Sequence, residues 1–340
     1  MSHTHMLGRR AFLRAAATTG TAAFMGLRAG RAAAEPPPET TTLRLQQFPS
    51  GCQGPIHVAG ELLRGEGFTD VQYVRIDNNR SGTDGLMAQT ADIGVQFSAP
   101  FIGEVDRGAD LVTLGGIHAG CFVLFGNRAV RGVRDLKGKT VSVPGLDESN
   151  PARVYIASMA AYVGLDPAKD VTWVAHPMDE ATRLFADGKV DAIMGFPPLA
   201  QELRAKKVGH VVVDSTTDRP WAQYFCCMMV AGRAFVKKHP VAAKRAVRAI
   251  VKATAICAQE PERVARLLVE RGVVKQYGYA LQVVKDLPYA RWRDYDSEDT
   301  LRFYALRLHE AGMIKSSPQK IIAQGSDLRF VNELKKELKG

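Results

Sequence analysis

The sequence predicts an α/β protein of two similar lobes joined by two crossing strands, with a helical C-terminal part that returns to the first lobe. Three observations carry this reading. Residues 43–117 and 139–214 repeat one order of strand, loop and helix, the pattern of βαβ units on a mainly parallel sheet. Each repeat holds a matching segment, Ala91-Asp92-Ile93-Gly94 and Val190-Asp191-Ala192-Ile193, whose strand runs into a proline-containing loop. Two long apolar runs, 119–125 and 224–231, bracket the second repeat and suit buried crossings.

Residues 42–46 alternate as a first strand. The loop 47–55 is rich in turn residues, and Ile56, Val58, Ala59, Leu62 and Leu63 then follow helical spacing up to Gly65. A second strand spans 71–76, and Ser81 is placed to cap a helix over 82–89. The strand 91–95 runs into Ser98-Ala99-Pro100 and a helix to Arg107; 111–117 is a fourth strand and 119–125 a buried one. In the second repeat, Val141 and Val143 mark a strand that Pro144-Gly145 ends. Asn150 is a good N-cap, Pro151 sits where its missing N–H is harmless, and Gly164 closes the helix. Strands 171–174, 192–196 and 209–214 alternate with helices 179–187 and 199–206. From Ala234 to Leu338 the pattern is almost wholly helical.

The chain has 340 residues, 46% of them hydrophobic, enough for two cores. Gly8-Arg9-Arg10-Ala11-Phe12-Leu13-Arg14 carries the twin-arginine pattern, ahead of a weakly apolar run over 15–27 and Ala32-Ala33-Ala34. That run is too short for a membrane span. Residues 1–34 read as a signal peptide for export to the periplasm and 35–41 as a linker. Removing five arginines and no acids leaves 40 basic against 35 acidic residues, a mild balance that does not argue for nucleic acid. The five cysteines are Cys52, Cys121, Cys226, Cys227 and Cys257. Their odd number leaves at least one unpaired within a chain, and no Cys/His spacing marks a metal site. Buried thiols acting as small hydrophobes are expected; a disulfide between Cys121 and Cys226, on the two crossings, is the alternative. No catalytic pattern and no Gly-rich phosphate loop stands out.

Four segments carry a resemblance to a known family: Ala91-Asp92-Ile93-Gly94-Val95, Asp135-Leu136-Lys137-Gly138-Lys139-Thr140-Val141, Val190-Asp191-Ala192-Ile193 and Ala234-Phe235-Val236-Lys237-Lys238-His239-Pro240. In this order, from about Leu43 to the C-terminus, the chain resembles the periplasmic solute-binding proteins of ABC importers in the nitrate/sulfonate/taurine, NMT1/THI5-like group. The resemblance implies two Rossmann-like lobes of the periplasmic binding protein type II fold. Lobe one takes 42–120 and 227–340, lobe two takes 121–226, and the two close on a ligand like a hinge. It also implies a monomer that needs no cofactor, works with ABC permease and ATPase subunits, and performs no bond chemistry.

In such a fold the ligand sits among loops at strand ends. Lobe one offers Gln53, Gly54, Ser98 and Ala99; lobe two offers Glu148, Ser149, Asn150, Phe196 and Pro197; the crossings add His118 and Tyr224. Gln53, Ser98 and Ser149 would supply hydrogen bonds, with backbone N–H groups at helix starts. Capping is the competing role for Ser149 and Asn150, turn formation for Ser98, and core packing for His118. Asp147 and Glu148 oppose a plain anion at a helix N-terminus. They either face solvent or meet a cationic or N–H donor face, and the reading leans to a nitrogen-containing solute, such as an amino-pyrimidine or amine, ahead of a sulfonate or nitrate. Phe48, Phe97, Phe196, Tyr224 and Phe225 either stack on a ring or pack the core. Two other functions stay open, a THI5-like pyrimidine-precursor synthase and a receptor of another transporter class. Such synthases carry a dense cysteine run near the second crossing, whereas this chain has only Cys226-Cys227 there. The segment 291–295 is either an exposed surface cluster or part of a face that docks on the permease.

Overall fold

A computed structural model describes residues 35–48, 50–76 and 82–338. The twin-arginine segment and the Ser81 cap lie outside the described residues. The chain divides at Pro38, where the main folded body begins.

Five strands form the first sheet, in the order β2 (Asp70–Arg75), β1 (Thr42–Gln47), β3 (Ile93–Phe97), β10 (Phe225–Gly232) and β4 (Leu111–Ala119). The second sheet orders β7 (Val171–Ala175), β6 (Lys139–Val143), β8 (Ala192–Gly195), β5 (Val123–Gly126) and β9 (His210–Asp214). The two orders are the same. In each, three strands pair in parallel, and a strand arriving from the other lobe inserts antiparallel to both its neighbours. The sheets are therefore mixed rather than mainly parallel, because β5 and β10 enter from across the molecule and run back toward it.

The repeated aspartates explain part of this symmetry. Asp92 Oδ2 accepts from the Arg44 backbone N–H at 2.7 Å, and Asp191 Oδ2 accepts from that of Thr140 at 2.9 Å. Each aspartate also donates its own N–H to the carbonyl of the same residue, at 2.8 Å in both lobes. Both therefore extend a parallel pairing by one polar clamp where the strands begin.

The apolar run 119–125 is two strands rather than one. It breaks at Gly120 and Cys121, with φ of +74° and +103°. A Cβ on Gly120 would lie 2.8 Å from the backbone of Thr216, in the segment that leads from β9 to β10, so the two connections between the lobes touch where only glycine fits. The run 224–231 falls largely in β10, an interior strand, so Phe225 and Cys227 pair within the first sheet.

Helices cover the sheets: α1 (Gly54–Gly65), α2 (Asp84–Met87), α3 (Ser98–Asp106), α4 (Pro151–Tyr162), α5 (Met178–Ala186) and α6 (Leu199–Lys206). The helix expected over 82–89 is only the single turn of α2. The C-terminal part supplies α7 (Arg233–Lys238), α8 (Pro240–Gln259), α9 (Pro261–Glu270), α10 (Tyr277–Asp286), α11 (Ser297–Glu310), α12 (Pro318–Gly325) and α13 (Arg329–Glu337). It returns to the first lobe: α8 packs on α1, and Glu66 after α1 pairs with Arg248 at 2.8 Å and Lys252 at 3.3 Å. Val331 of α13 fills the space over Gly115 of β4. It also reaches the second lobe, since α11 packs on α3 and α4 and α10 on α6. In 291–295 the rings of Trp292 and Tyr295 are buried and anchor the chain ahead of α11, while Arg291, Arg293 and Asp294 are exposed.

Candidate functional site

The loops at the ends of β3 and β8 meet through aromatic rings. Phe97 lies 4.9 Å from Phe196 and 6.1 Å from Tyr155, centroid to centroid. Tyr155, on α4, is wholly buried, stacked at 4.1 Å on Phe122 of the first crossing and edge-on at 5.5 Å to Tyr304 of α11. Its hydroxyl donates to the Cys226 carbonyl at 3.1 Å. Ser98 Oγ sits 3.2 Å from that hydroxyl and donates to the Phe225 carbonyl at 2.7 Å. One apolar seam with a satisfied polar centre thus joins both lobes and both crossings.

Beside the seam lies a cavity of about 1050 Å³. The second lobe contributes Pro197, Gln201, Arg204 and Asp214; α10 and the residues before it contribute Gln276, Tyr279, Gln282 and Asp286. Cys121 of the first crossing, and Thr216 and Asp218 of the segment that leads from β9 to β10, also line it. Its charged groups are Asp214, Asp218 and Asp286 against Arg204, which pairs with Asp214 and stands 3.9 Å from Asp286. Asp286 also accepts from Gln201 Nε2 at 3.1 Å.

Cys121 also belongs to a buried cluster that linear spacing does not reveal. Ligand atoms of Cys52, His118, Cys121 and Cys227 all lie within 4.8 Å of one another, and all four residues are buried. Cys226 Sγ is 2.6 Å from Cys121 Sγ, so these two are neighbours, both as free thiols. His118 Nδ1 lies 3.2 Å from the Ala119 carbonyl, and the ring meets Tyr289 edge-on at 5.3 Å. Burial alone would lower the His118 pKa; the Cys227 and Cys52 thiols outweigh it and push it up to about 10. Cys257 stands apart, its thiol pushed up by burial alone.

The residues expected at the site divide into groups. Phe196 is in the seam with Ser98, and Ala99 is buried behind it. Pro197 lines the cavity. Gln53 is buried, its amide 3.4 Å from the Val95 carbonyl. Gly54 faces inward, where a Cβ would meet Cys257 and Val264. His118 belongs to the thiol cluster. Tyr224 stacks on Phe303 of α11 at 3.9 Å. Asn150 caps α4, accepting from Arg153 N–H at 3.2 Å. Ser149 donates its backbone N–H to Asp147 Oδ1 at 3.0 Å, and its hydroxyl donates to the same atom. Glu148 is exposed. Asp147 is thus occupied by its own loop. Tyr155, Arg204 and Asp286 went unrecognised, because each looks like an ordinary residue on a helix face.

Two lobes of the same strand order, each completed by an antiparallel strand from the other, define the periplasmic binding protein fold. The chain is similar in structure to the alkanesulfonate-binding protein SsuA from Xanthomonas axonopodis pv. citri bound to MOPS, with a TM-score of 0.64 and 16% identity over 82% of this chain and 96% of that one. The periplasmic nitrate-binding protein NrtA from Synechocystis PCC 6803 gives 0.66 and 15% identity over 89% and 90%. A Candida albicans gene product exhibiting the generic periplasmic binding protein fold gives 0.63 and 13% over 83% and 94%. At these identities the likeness is one of fold. A search of curated proteins finds no match. A family model described as NMT1/THI5 like matches residues 65–264, more than half of the chain, and the protein belongs to that family.

Proposed function

We propose that the protein is the periplasmic solute-binding component of an ABC importer, exported by the twin-arginine route. It captures a small nitrogen-containing solute by hinge closure and performs no bond chemistry. Permease and ATPase subunits are its partners, and it works as a monomer. The observation that carries this reading is the cavity of about 1050 Å³. Its size suits a small molecule, and its walls come from both lobes and both connections between them, so an occupant touching all of them favours one lobe arrangement over others. Three carboxylates facing one guanidinium favour a cationic or N–H-rich solute over a plain anion. Asp147 is engaged by its own loop and Glu148 is exposed, so neither carries this preference.

A thermal-shift screen of amines, amino-pyrimidines, sulfonates and nitrate tests it, since a solute bound by the folded state alone raises the melting temperature. Amines or amino-pyrimidines are expected to shift the melt. A clear win for a sulfonate or nitrate overturns the solute class. Incubation with iron, pyridoxal phosphate and oxygen is expected to yield no pyrimidine; product at multiple turnovers would sink the binding-only reading.

A further inference from the structure

We propose that Cys52, His118, Cys121 and Cys227 form a buried four-coordinate site for a soft metal ion of the zinc class, set at the junction of the first lobe and the first crossing. The four donors come from the loop between β1 and α1, the end of β4, the crossing and the start of β10. Only Cys227 belongs to the adjacent cysteine pair. The site does not depend on the solute reading, and its test is separate.

The four donors are close to bonding distance of one ion. The ligand atoms lie within 4.8 Å of one another, and the sulfurs of Cys52 and Cys227 are 4.0 Å apart. A tetrahedral zinc with bonds of about 2.0–2.3 Å holds its ligand atoms roughly 3.5–3.8 Å apart. A contraction of about 1 Å or less therefore gathers the set, which side-chain rotations supply. Three thiolates and one imidazole are also the donor set that such an ion prefers over a hard cation.

An unmet polar atom points the same way. His118 is wholly buried, and its Nε2 has no hydrogen-bond partner among the described residues. A buried polar nitrogen without a partner is costly and calls for one. Its Nδ1 lies against the Ala119 carbonyl. In its neutral form, which a bound cation favours by taking the place of the Nε2 proton, a ring that donates from Nδ1 to a carbonyl presents the Nε2 lone pair, which is how metal-binding imidazoles are held.

Two further features fit. Cys121 adopts φ +103°, a conformation unfavourable for a residue with a Cβ, retained where surrounding structure demands it. Ser50 Oγ stands 3.1 Å from Cys52 Sγ, placed to steady a thiolate from outside the ligand set. Cys121 also lines the inter-lobe cavity, which gives an ion a way in. Because Cys226 crowds Cys121, the thiols must be reduced for the site to fill.

The full chain, reduced with a phosphine and stripped with a chelator, is titrated with Co²⁺ and then Zn²⁺. One equivalent of Co²⁺ per chain is expected, with the intense visible absorption and thiolate-to-cobalt charge transfer of a tetrahedral, sulfur-rich site, both bleached by Zn²⁺. Zn²⁺ should also raise the melting temperature. His118→Ala and Cys227→Ser are expected to lose the absorption, while Cys257→Ala keeps it. Ser50→Ala should retain the spectrum with affinity about 10- to 100-fold weaker. If the ligand variants do not fold, the wild-type spectrum and the Ser50→Ala affinity decide. No uptake by the reduced protein, a weak octahedral-type spectrum, an unchanged Ser50→Ala affinity, or full uptake by folded Cys227→Ser overturns the proposal.

Discussion

The ring of Phe97, at the end of β3, lies 4.9 Å from the ring of Phe196, just beyond the end of β8. These are corresponding positions in the two lobes, so the internal repeat meets itself face to face. The contact holds one side of the cleft together, while the cavity lies toward the crossings.

A double-mutant cycle on Phe97→Ala and Phe196→Ala measures whether that contact persists in solution. An aromatic pair of this geometry is worth about 1 kcal/mol beyond its buried area. Coupling of that size in urea melts is expected for the solute-free protein. Zero coupling, with a larger radius of gyration by X-ray scattering than the described arrangement gives, would mean that the lobes stand apart without solute.

Asp286→Asn probes the cavity wall. A hydrogen bond to a charged group contributes about 1.5–3 kcal/mol, which is roughly 10- to 100-fold in affinity. The amine or amino-pyrimidine that shifts the melt most is expected to bind Asp286→Asn that much more weakly by calorimetry, with little change in the protein's own melting temperature. An unchanged Kd places Asp286 away from the solute.

Gly116→Ala tests the packing of the first sheet. A Cβ there would stand 2.1 Å from the Phe225 ring, which is wholly buried and lies edge-on at 5.4 Å to Tyr295. Overpacking a site with no room to yield costs about 3 kcal/mol or prevents folding. Adding Phe225→Leu should recover part of the loss in a urea melt.

Acid sensitivity should trace partly to His57 on α1. Burial, helped by the nearby positive charge of Arg271, lowers its pKa from 6.5 to about 4. Gln47 Nε2 donates to its Nδ1 at 3.0 Å, and Arg271 in turn lies over the Tyr73 ring at 5.2 Å. The folded state holds His57 neutral, so its contribution is complete above pH 6.5 and is lost as pH falls toward 4. At about 1.4 kcal/mol per pH unit over about 2.5 units, the full loss is about 3.5 kcal/mol. His57→Gln is expected to flatten the fall in urea-derived stability between pH 6.5 and 4; an equally steep fall assigns the sensitivity elsewhere.

Much of the architecture was legible because it is local. Alternation along 42–46, a proline and N-cap at Asn150-Pro151, and glycine at Gly164 are decided by neighbours a few residues away, and the structure forms β1 and α4 there. The repeated aspartates marked corresponding strands for the same reason, since each clamps the strand beside it. The direction of β5 and β10 was not legible, because a fully apolar run reads the same whichever way it enters a sheet. Nor was the split of 119–125, which depends on the approach of Thr216 to Gly120 from the segment between β9 and β10.

The sequence by itself determined the two-lobe α/β plan and the family, because hydrophobic period and turn residues act over short distances. Only the tertiary structure decided the site. It buries Ser98 under Phe225, occupies Asp147 with its own loop, and turns Arg204 and Asp286 toward one cavity. It also gathers Cys52, His118, Cys121 and Cys227 from four separate segments. Such convergence is set by how the sheets and crossings pack, and no linear spacing records it.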